Sequence, residues 1–96
     1  MVYRYLKKHQ WEHVYRQITT HGRAIPTSFQ YDVDVDCNGV DYILRMQPEN
    51  ERRLLILHAI ELHPDSEEAD DTRHSLIDDN AMLYALLEII IYQSSN

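Results

Sequence analysis

A short N-terminal segment, HQWEH, contains residue types that can bind zinc. His9, Glu12 and His13 match the H-x-x-E-H pattern of inverted zinc peptidases, in which two histidines hold the metal and the glutamate activates water. Such enzymes also need a third ligand and a cleft built from far more chain than this. A helical wheel places both histidines opposite Trp11 and Ile18, so we expect them to be solvated and to take no part in catalysis.

The segment from Asp34 to Gly39 reproduces the first half of an EF-hand calcium loop. Its D-x-D-x-N-G spacing supplies short oxygen ligands and a central glycine. The second half does not fit, because Arg45 occupies the position of the bidentate glutamate and Asp41 occupies an apolar position. A hairpin turn at Asn38-Gly39 with solvated aspartates explains this segment better.

Other kinds of catalytic site lack the residues they need. The chain has only two glycines, Gly22 and Gly39, so it cannot build a glycine-rich phosphate loop or a dinucleotide fingerprint. The G-x-S-x-G nucleophile motif is also absent from the sequence. We therefore expect no enzymatic activity, no cofactor and no dedicated metal site.

Acidic side chains are the strongest candidates for a binding surface. Asp32, Asp34 and Asp36 alternate with apolar residues, so a strand would place them on one wet face about 6.7 Å apart. This row has about half the linear charge density of one DNA strand, so it would need a second acidic cluster to imitate a phosphate backbone. We expect the partner-binding residues to be Asp32, Asp34, Asp36, Asp41, Glu67, Glu68, Asp70 and Asp71.

Charge is unevenly distributed along the 96 residues. The first 31 residues carry five basic and one acidic side chain, whereas the remainder carries four basic and fifteen acidic ones, for a net charge of −7. Direct binding of nucleic acid is disfavoured, because phosphates repel carboxylates, and a partner with a basic surface is the natural complement. The alternative is that the acidic surface only keeps the protein soluble.

Hydrophobic periodicity predicts the elements that position these residues. Trp11, Val14, Tyr15 and Ile18 follow the pattern of one helical face, which predicts an amphipathic helix over residues 7–20 that Gly22 can end. The period then changes from 3.6 to 2. Alternating apolar residues on both sides of an Asn-Gly turn predict a β-hairpin over residues 29–46.

The remaining segments carry weaker sequence signals of secondary structure. Residues 51–62 suit a buried strand or a buried helix, and we favour a strand because a hairpin needs a neighbour. Residues 63–71 are polar and acidic, which is typical of an exposed loop. Asp78 or Asp79 can cap a C-terminal helix that is apolar on nearly every side, so either its own sheet or a second subunit must bury it.

These elements predict a single acidic α+β domain spanning residues 1–96. We expect an N-terminal amphipathic helix, an antiparallel sheet of two or three strands, and an apolar C-terminal helix packed on one face. No apolar run reaches membrane-spanning length, and the single cysteine, Cys37, cannot form an internal disulfide, so a reducing cytoplasm fits best.

The function we favour is that of a small acidic inhibitor or adaptor that occupies the basic groove of a nucleic-acid-binding protein. The expected architecture is similar to that of phage-encoded anti-restriction and anti-CRISPR proteins, although no motif of this sequence identifies such a family. One alternative is a structural protein that forms a homodimer through Leu83, Leu86, Leu87 and Ile90. Another is a small metal-binding protein that uses His9 and His13 or the Asp34 loop.

Overall fold

The strands of the chain form one sheet, on which the two helices pack. A computed structural model describes residues 1–64 and 72–93. In chain order its elements are β1 (Val2–Tyr5), α1 (Lys8–His21), β2 (Arg23–Ala24), β3 (Tyr31–Cys37), β4 (Val40–Pro48), β5 (Arg53–Pro64), β6 (Thr72–Ile77) and α2 (Asn80–Ile91). The α+β class agrees with the sequence-based expectation.

The predicted β-hairpin is present as β3 and β4. Asn38 and Gly39 have φ values of 54° and 83°, the two positive values that a type I′ turn requires. The backbone N–H of Gly39 donates to Asp36 Oδ1 at 2.9 Å, which stabilises the turn further. The first strand begins at Tyr31 rather than at residue 29, because Ile25 and Gln30 close a separate turn with a 3.0 Å backbone hydrogen bond.

The ambiguous apolar segment is β5, and its position in the sheet explains why a strand is favoured. One edge of β5 pairs with β4, while its other edge pairs with β1 at residues 53–56 and with β6 at residues 59–64. A strand with neighbours on both edges satisfies its backbone groups on both sides. An extra residue, Leu57, forms a bulge opposite the bond between Arg45 and Met46.

The sheet is larger than the two or three strands that we expected from the sequence. Its described strands number six, in the order β1-β5-β4-β3-β2, with β6 also paired to β5. The three strands missing from that expectation contain four, two and six residues, namely β1, β2 and β6. Such short segments show little periodicity, and their pairing depends on distant parts of the chain.

Both helices pack on one face of the sheet and enclose the core. Val14 and Ile18 of α1 are fully buried against Val33 of β3 and its neighbours. Of the two predicted caps of α2, Asp78 and Asp79, the structure shows Asp79, whose Oδ2 accepts a hydrogen bond from Met82 N at 3.0 Å. No helix within the described residues is long and apolar enough to cross a membrane.

The end of α1 shows why a glycine follows it. The backbone N–H of Gly22 donates to the carbonyl of Ile18 at 2.8 Å, and a Cβ at Gly22 would lie 2.4 Å from that oxygen. Since Gly22 has a φ of −76°, it is needed for this close approach rather than for a left-handed backbone.

Candidate functional site

The sheet face opposite the helices presents the predicted carboxylates. Side chains that point away from the core align in rows across the strands, as their register shows. One row runs through Asp36 and Asp41, the next through Asp34, Ile43, Ile60 and Leu76, and a third through Asp32, Arg45 and His58. We call these nine residues the open face, because no described helix packs on them.

Asp32 is engaged in a bidentate ion pair. Arg45 Nε lies 2.8 Å from Asp32 Oδ1, and Arg45 Nη2 lies 3.1 Å from Asp32 Oδ2. The two side chains are only 31% and 19% exposed, so this pair is partly shielded from water. The hydrogen bonds to Asp32 raise the pKa of Arg45, which keeps the guanidinium charged.

Asp34 makes a similar but more exposed pair. Arg23 on β2 donates to Asp34 Oδ2 at 3.2 Å through Nη1 and to Oδ1 at 3.0 Å through Nη2. These side chains are 58% and 69% exposed, so the pair is largely solvated. The three aspartates of β3 do share one face as predicted, but two of them are matched by arginines and they do not form a row of free carboxylates.

Asp36 and Asp41 are the carboxylates of the open face that no arginine pairs. They are directly opposite each other on β3 and β4, beside the hairpin turn, and both are exposed. Asp36 accepts the hydrogen bond from Gly39, whereas Asp41 makes no hydrogen bond or ion pair to the side chains that the structure describes. Two like charges directly opposite each other are unfavourable, and a cation placed between them would relieve that repulsion.

The other predicted partner-binding residues lie outside the described part of the chain. Glu67, Glu68, Asp70 and Asp71 fall between the last residue of β5 and the first residue of β6. Because β5 is antiparallel to β4, those two strand ends face the same end of the sheet as the Asn38-Gly39 turn.

An apolar row crosses the middle of the open face. Ile43 and Ile60 are half-buried cross-strand partners, and Leu76 beside them on β6 is 67% exposed. This row was not predicted, although the continuous apolar run of β5 indicates a strand that is apolar on both of its faces. The open face therefore combines carboxylates with two half-buried apolar side chains and one exposed apolar side chain.

His58 borders the partly shielded ion pair between Asp32 and Arg45 on the open face. Partial burial of its imidazole lowers the pKa of His58, and repulsion from Arg45 adds to this effect, while Asp32 opposes it. The imidazole therefore favours its neutral form more strongly than a solvated histidine does.

A concave surface lies where β4 turns into β5. Its walls enclose about 360 Å³ and contain four aromatic side chains, the β4–β5 turn and two acidic residues. We call it the aromatic groove, and it is lined by Trp11, Tyr15, Phe29, Tyr31, Pro48, Glu49, Asn50 and Glu51. The sequence did not indicate this groove, because its residues come from three separate segments.

The four residues proposed for a dimer interface are buried in the core instead. Leu83, Leu86 and Leu87 are fully buried and Ile90 is 1% exposed within a single copy of the chain. The sequence left open whether the sheet of the same chain or a second subunit buries α2, and the sheet of the same chain buries these four side chains. A contact between two copies through them would require α2 to leave the core.

The two metal-binding motifs are not assembled as metal sites. Among residues 1–64 and 72–93, no group of three or more histidine, cysteine or carboxylate side chains could hold a metal ion. His9 is exposed as expected, but His13 is half-buried and its Nε2 is shielded without a described hydrogen-bond partner, so the expectation that it is solvated was wrong.

Comparison with protein-family models, with curated proteins and with solved structures found no match for this chain.

Proposed function

We propose that this chain is a small protein-binding module whose open face contacts a basic surface of a partner protein. The observation that carries this proposal is the composition of the open face, where the exposed carboxylates of Asp36 and Asp41 adjoin the apolar row of Ile43, Ile60 and Leu76. Apolar area supplies affinity when it is buried, and carboxylates favour a cationic partner over an acidic one.

A nucleic-acid-binding protein is the more specific partner that we propose. Its groove presents the lysines and arginines that would meet Asp36 and Asp41, and an occupant of that groove would compete with nucleic acid. The pairing of Asp32 with Arg45 and of Asp34 with Arg23 limits this mimicry to the hairpin end of the face. The proposed contact is therefore compact and does not follow the full length of β3.

The test is an affinity capture from cell lysate that compares two variants of equal net charge. Asp36→Asn/Asp41→Asn removes the unpaired carboxylates of the open face. Glu12→Gln/Asp78→Asn is the matched control, because it removes two exposed carboxylates outside the sheet. We expect the wild-type protein and the control to capture the same basic protein, and we expect the open-face variant to lose it.

Added duplex DNA distinguishes the general proposal, a partner protein with a basic surface, from the specific one, a nucleic-acid-binding protein. Release of the captured protein by DNA would support competition for a nucleic-acid groove, whereas retention would leave a protein contact without mimicry. Equal capture by all three forms would contradict the use of the open face. Equal loss from both variants would show that only net charge matters.

A further inference from the structure

The aromatic groove lies apart from the open-face carboxylates. It lies at the β4–β5 turn, whereas Asp36 and Asp41 lie beside the β3–β4 turn. The nine residues of β4 separate these two ends by roughly 27 Å. The chemistry of the groove can therefore be tested independently of the function proposed for the open face.

The groove offers several aromatic rings to a ligand. Trp11 and Tyr15 lie one helical turn apart on α1, with ring centroids 5.8 Å apart and ring planes tilted by 33°. Trp11 and Tyr31 also pack against the core, which holds that wall in place. Phe29 is 84% exposed, so a large apolar ring stands in water with no described side chain covering it.

The two loops that complete the groove have defined backbones. Glu51 and Arg52 both lie in the left-handed region, with φ values of 64° and 65°, and Thr27 lies there too at 67°. Non-glycine residues rarely adopt this conformation, so surrounding contacts must hold it. Backbone hydrogen bonds do so on either side of the β4–β5 turn, from Leu6 to Arg52 and from Glu49 to Arg53.

The charged residues that line the groove are both acidic. Glu49 is partly neutralised, because Arg53 Nε lies 3.4 Å from its Oε2. Glu51 is exposed and makes no hydrogen bond or ion pair within the described residues. The lining contains no lysine, arginine or histidine. Aromatic ring faces and an unpaired carboxylate both attract a cation, so the groove complements positive charge.

We propose that the aromatic groove binds an arginine side chain from an exposed segment of a partner protein. The guanidinium stacks against the rings of Trp11, Tyr15 and Phe29, and its charge lies beside Glu51. Arginine fits better than lysine, because a guanidinium is planar, stacks on aromatic faces and is less strongly hydrated. The same contact occurs inside this chain, where the Arg53 guanidinium lies 3.7 Å above the Tyr3 ring.

A neighbouring depression gives the rest of the bound segment a place to lie. It encloses about 630 Å³ and continues the groove past Phe29 and the β4–β5 turn towards Tyr5 and Gln47. The two concave surfaces share Phe29 and residues 48–51. An extended peptide can therefore place its arginine against the rings and its next residues along this depression.

The single tryptophan makes the groove directly observable. Trp11 is the only tryptophan of the chain and it lines the groove, so a ligand that stacks on its ring should change the tryptophan fluorescence. We would titrate the protein with the capped peptide acetyl-Gly-Arg-Gly-amide and with its citrulline counterpart, which has nearly the same shape but no charge. We expect a saturable change in Trp11 emission with the arginine peptide at millimolar concentration, and binding weaker by roughly fivefold or more with citrulline.

Two variants and a matched control locate the binding. Phe29→Ala and Glu51→Gln should each weaken binding of the arginine peptide several-fold, whereas Tyr92→Ala, which removes an aromatic ring that is also largely exposed, should not. Circular dichroism would verify that all variants are folded. Equal affinity for both peptides, an unchanged affinity in Phe29→Ala, or no saturable response to the arginine peptide would each overturn the proposal.

Discussion

Asp32 and Asp34, two residues apart on β3, form Asp–Arg ion pairs that differ in burial and therefore in their contribution to stability. Asp32 and Asp34 each accept two hydrogen bonds from one arginine, with similar distances. Their surroundings differ, because the Arg45 pair is mostly shielded and the Arg23 pair is mostly solvated. Solvent screening and side-chain entropy limit what is lost when an exposed pair is broken, whereas removing one partner of a shielded pair leaves the other charge poorly solvated.

This difference can be measured with one substitution at each position. We expect Asp32→Asn to lower the free energy of unfolding by about 1 kcal/mol, because it leaves a partly buried guanidinium without its charged partner. Asp34→Asn, the matched control, should cost less than about 0.5 kcal/mol. Urea unfolding monitored by circular dichroism would give both values. Equal losses would show that exposure does not distinguish the two pairs.

His58 makes stability depend on pH in a predictable direction. Burial lowers its pKa in the folded protein below 6.5, the usual value for the unfolded chain. The unfolded state therefore binds the proton more readily, so the free energy of unfolding falls as the pH drops through 6.5 towards the lower folded-state pKa. Well above 6.5 both states are neutral at His58, so this contribution is constant there.

The variant His58→Gln isolates that contribution from the other five histidines. We expect its stability to fall less steeply than that of the wild-type protein between neutral and mildly acidic pH. Urea unfolding at several pH values would provide the two curves. Parallel curves would mean that His58 is not perturbed by folding.

At the scale of elements, α2 depends on a single side-chain cap. Asp79 accepts the hydrogen bond from Met82 N and places a negative charge at the positive end of the helix dipole. The first turn of α2 contains no acidic residue that could replace it.

We expect Asp79→Ala to lower the free energy of unfolding by about 1 kcal/mol, since an N–H group of the first turn loses its acceptor. Asp78→Ala is the matched control, because Asp78 is exposed, carries the same charge and does not cap the helix. Its cost should be near zero. Thermal unfolding of both variants would compare them, and equal losses would indicate a general effect of charge and not a cap.

At the scale of the whole molecule, the position of α2 determines whether its leucines stabilise the core or are free to contact a second copy of the chain. Leu83, Leu86, Leu87 and Ile90 pack in one core with Val33, Leu44 and Ile56 of the sheet. The exposed side of α2 carries Ala81 and Ala85 instead. A truncated leucine should therefore weaken the fold, not a contact between copies.

We expect Leu87→Ala to lower the free energy of unfolding by about 2–5 kcal/mol, because it leaves a cavity in the core. The melting temperature of the wild-type protein should not depend on protein concentration if these leucines serve only the fold. Ala85→Ser, on the exposed side of α2, is the control. A melting temperature that rises with concentration and loses that dependence in Leu87→Ala would contradict this role.

The sequence by itself determined the local elements of this protein. The periodicity of α1, the Asn38-Gly39 hairpin and an N-terminal cap of α2 at Asp78 or Asp79 all depend on residues a few positions apart, so short-range preferences suffice to predict them. The alternation on β3 likewise indicated that its aspartates share one face. Net charge and the lack of a glycine-rich loop also follow from residue types alone.

Only the tertiary structure decided which distant residues meet. It placed β1 and β6 along one edge of β5, matched Asp32 with Arg45 and Asp34 with Arg23, and buried the leucines of α2. It also joined residues 11–15, 29–31 and 48–51 into the aromatic groove. These contacts depend on strand order and packing. Hydrophobic periods of 2 and 3.6 residues cannot predict them, because a period describes only neighbours within one element.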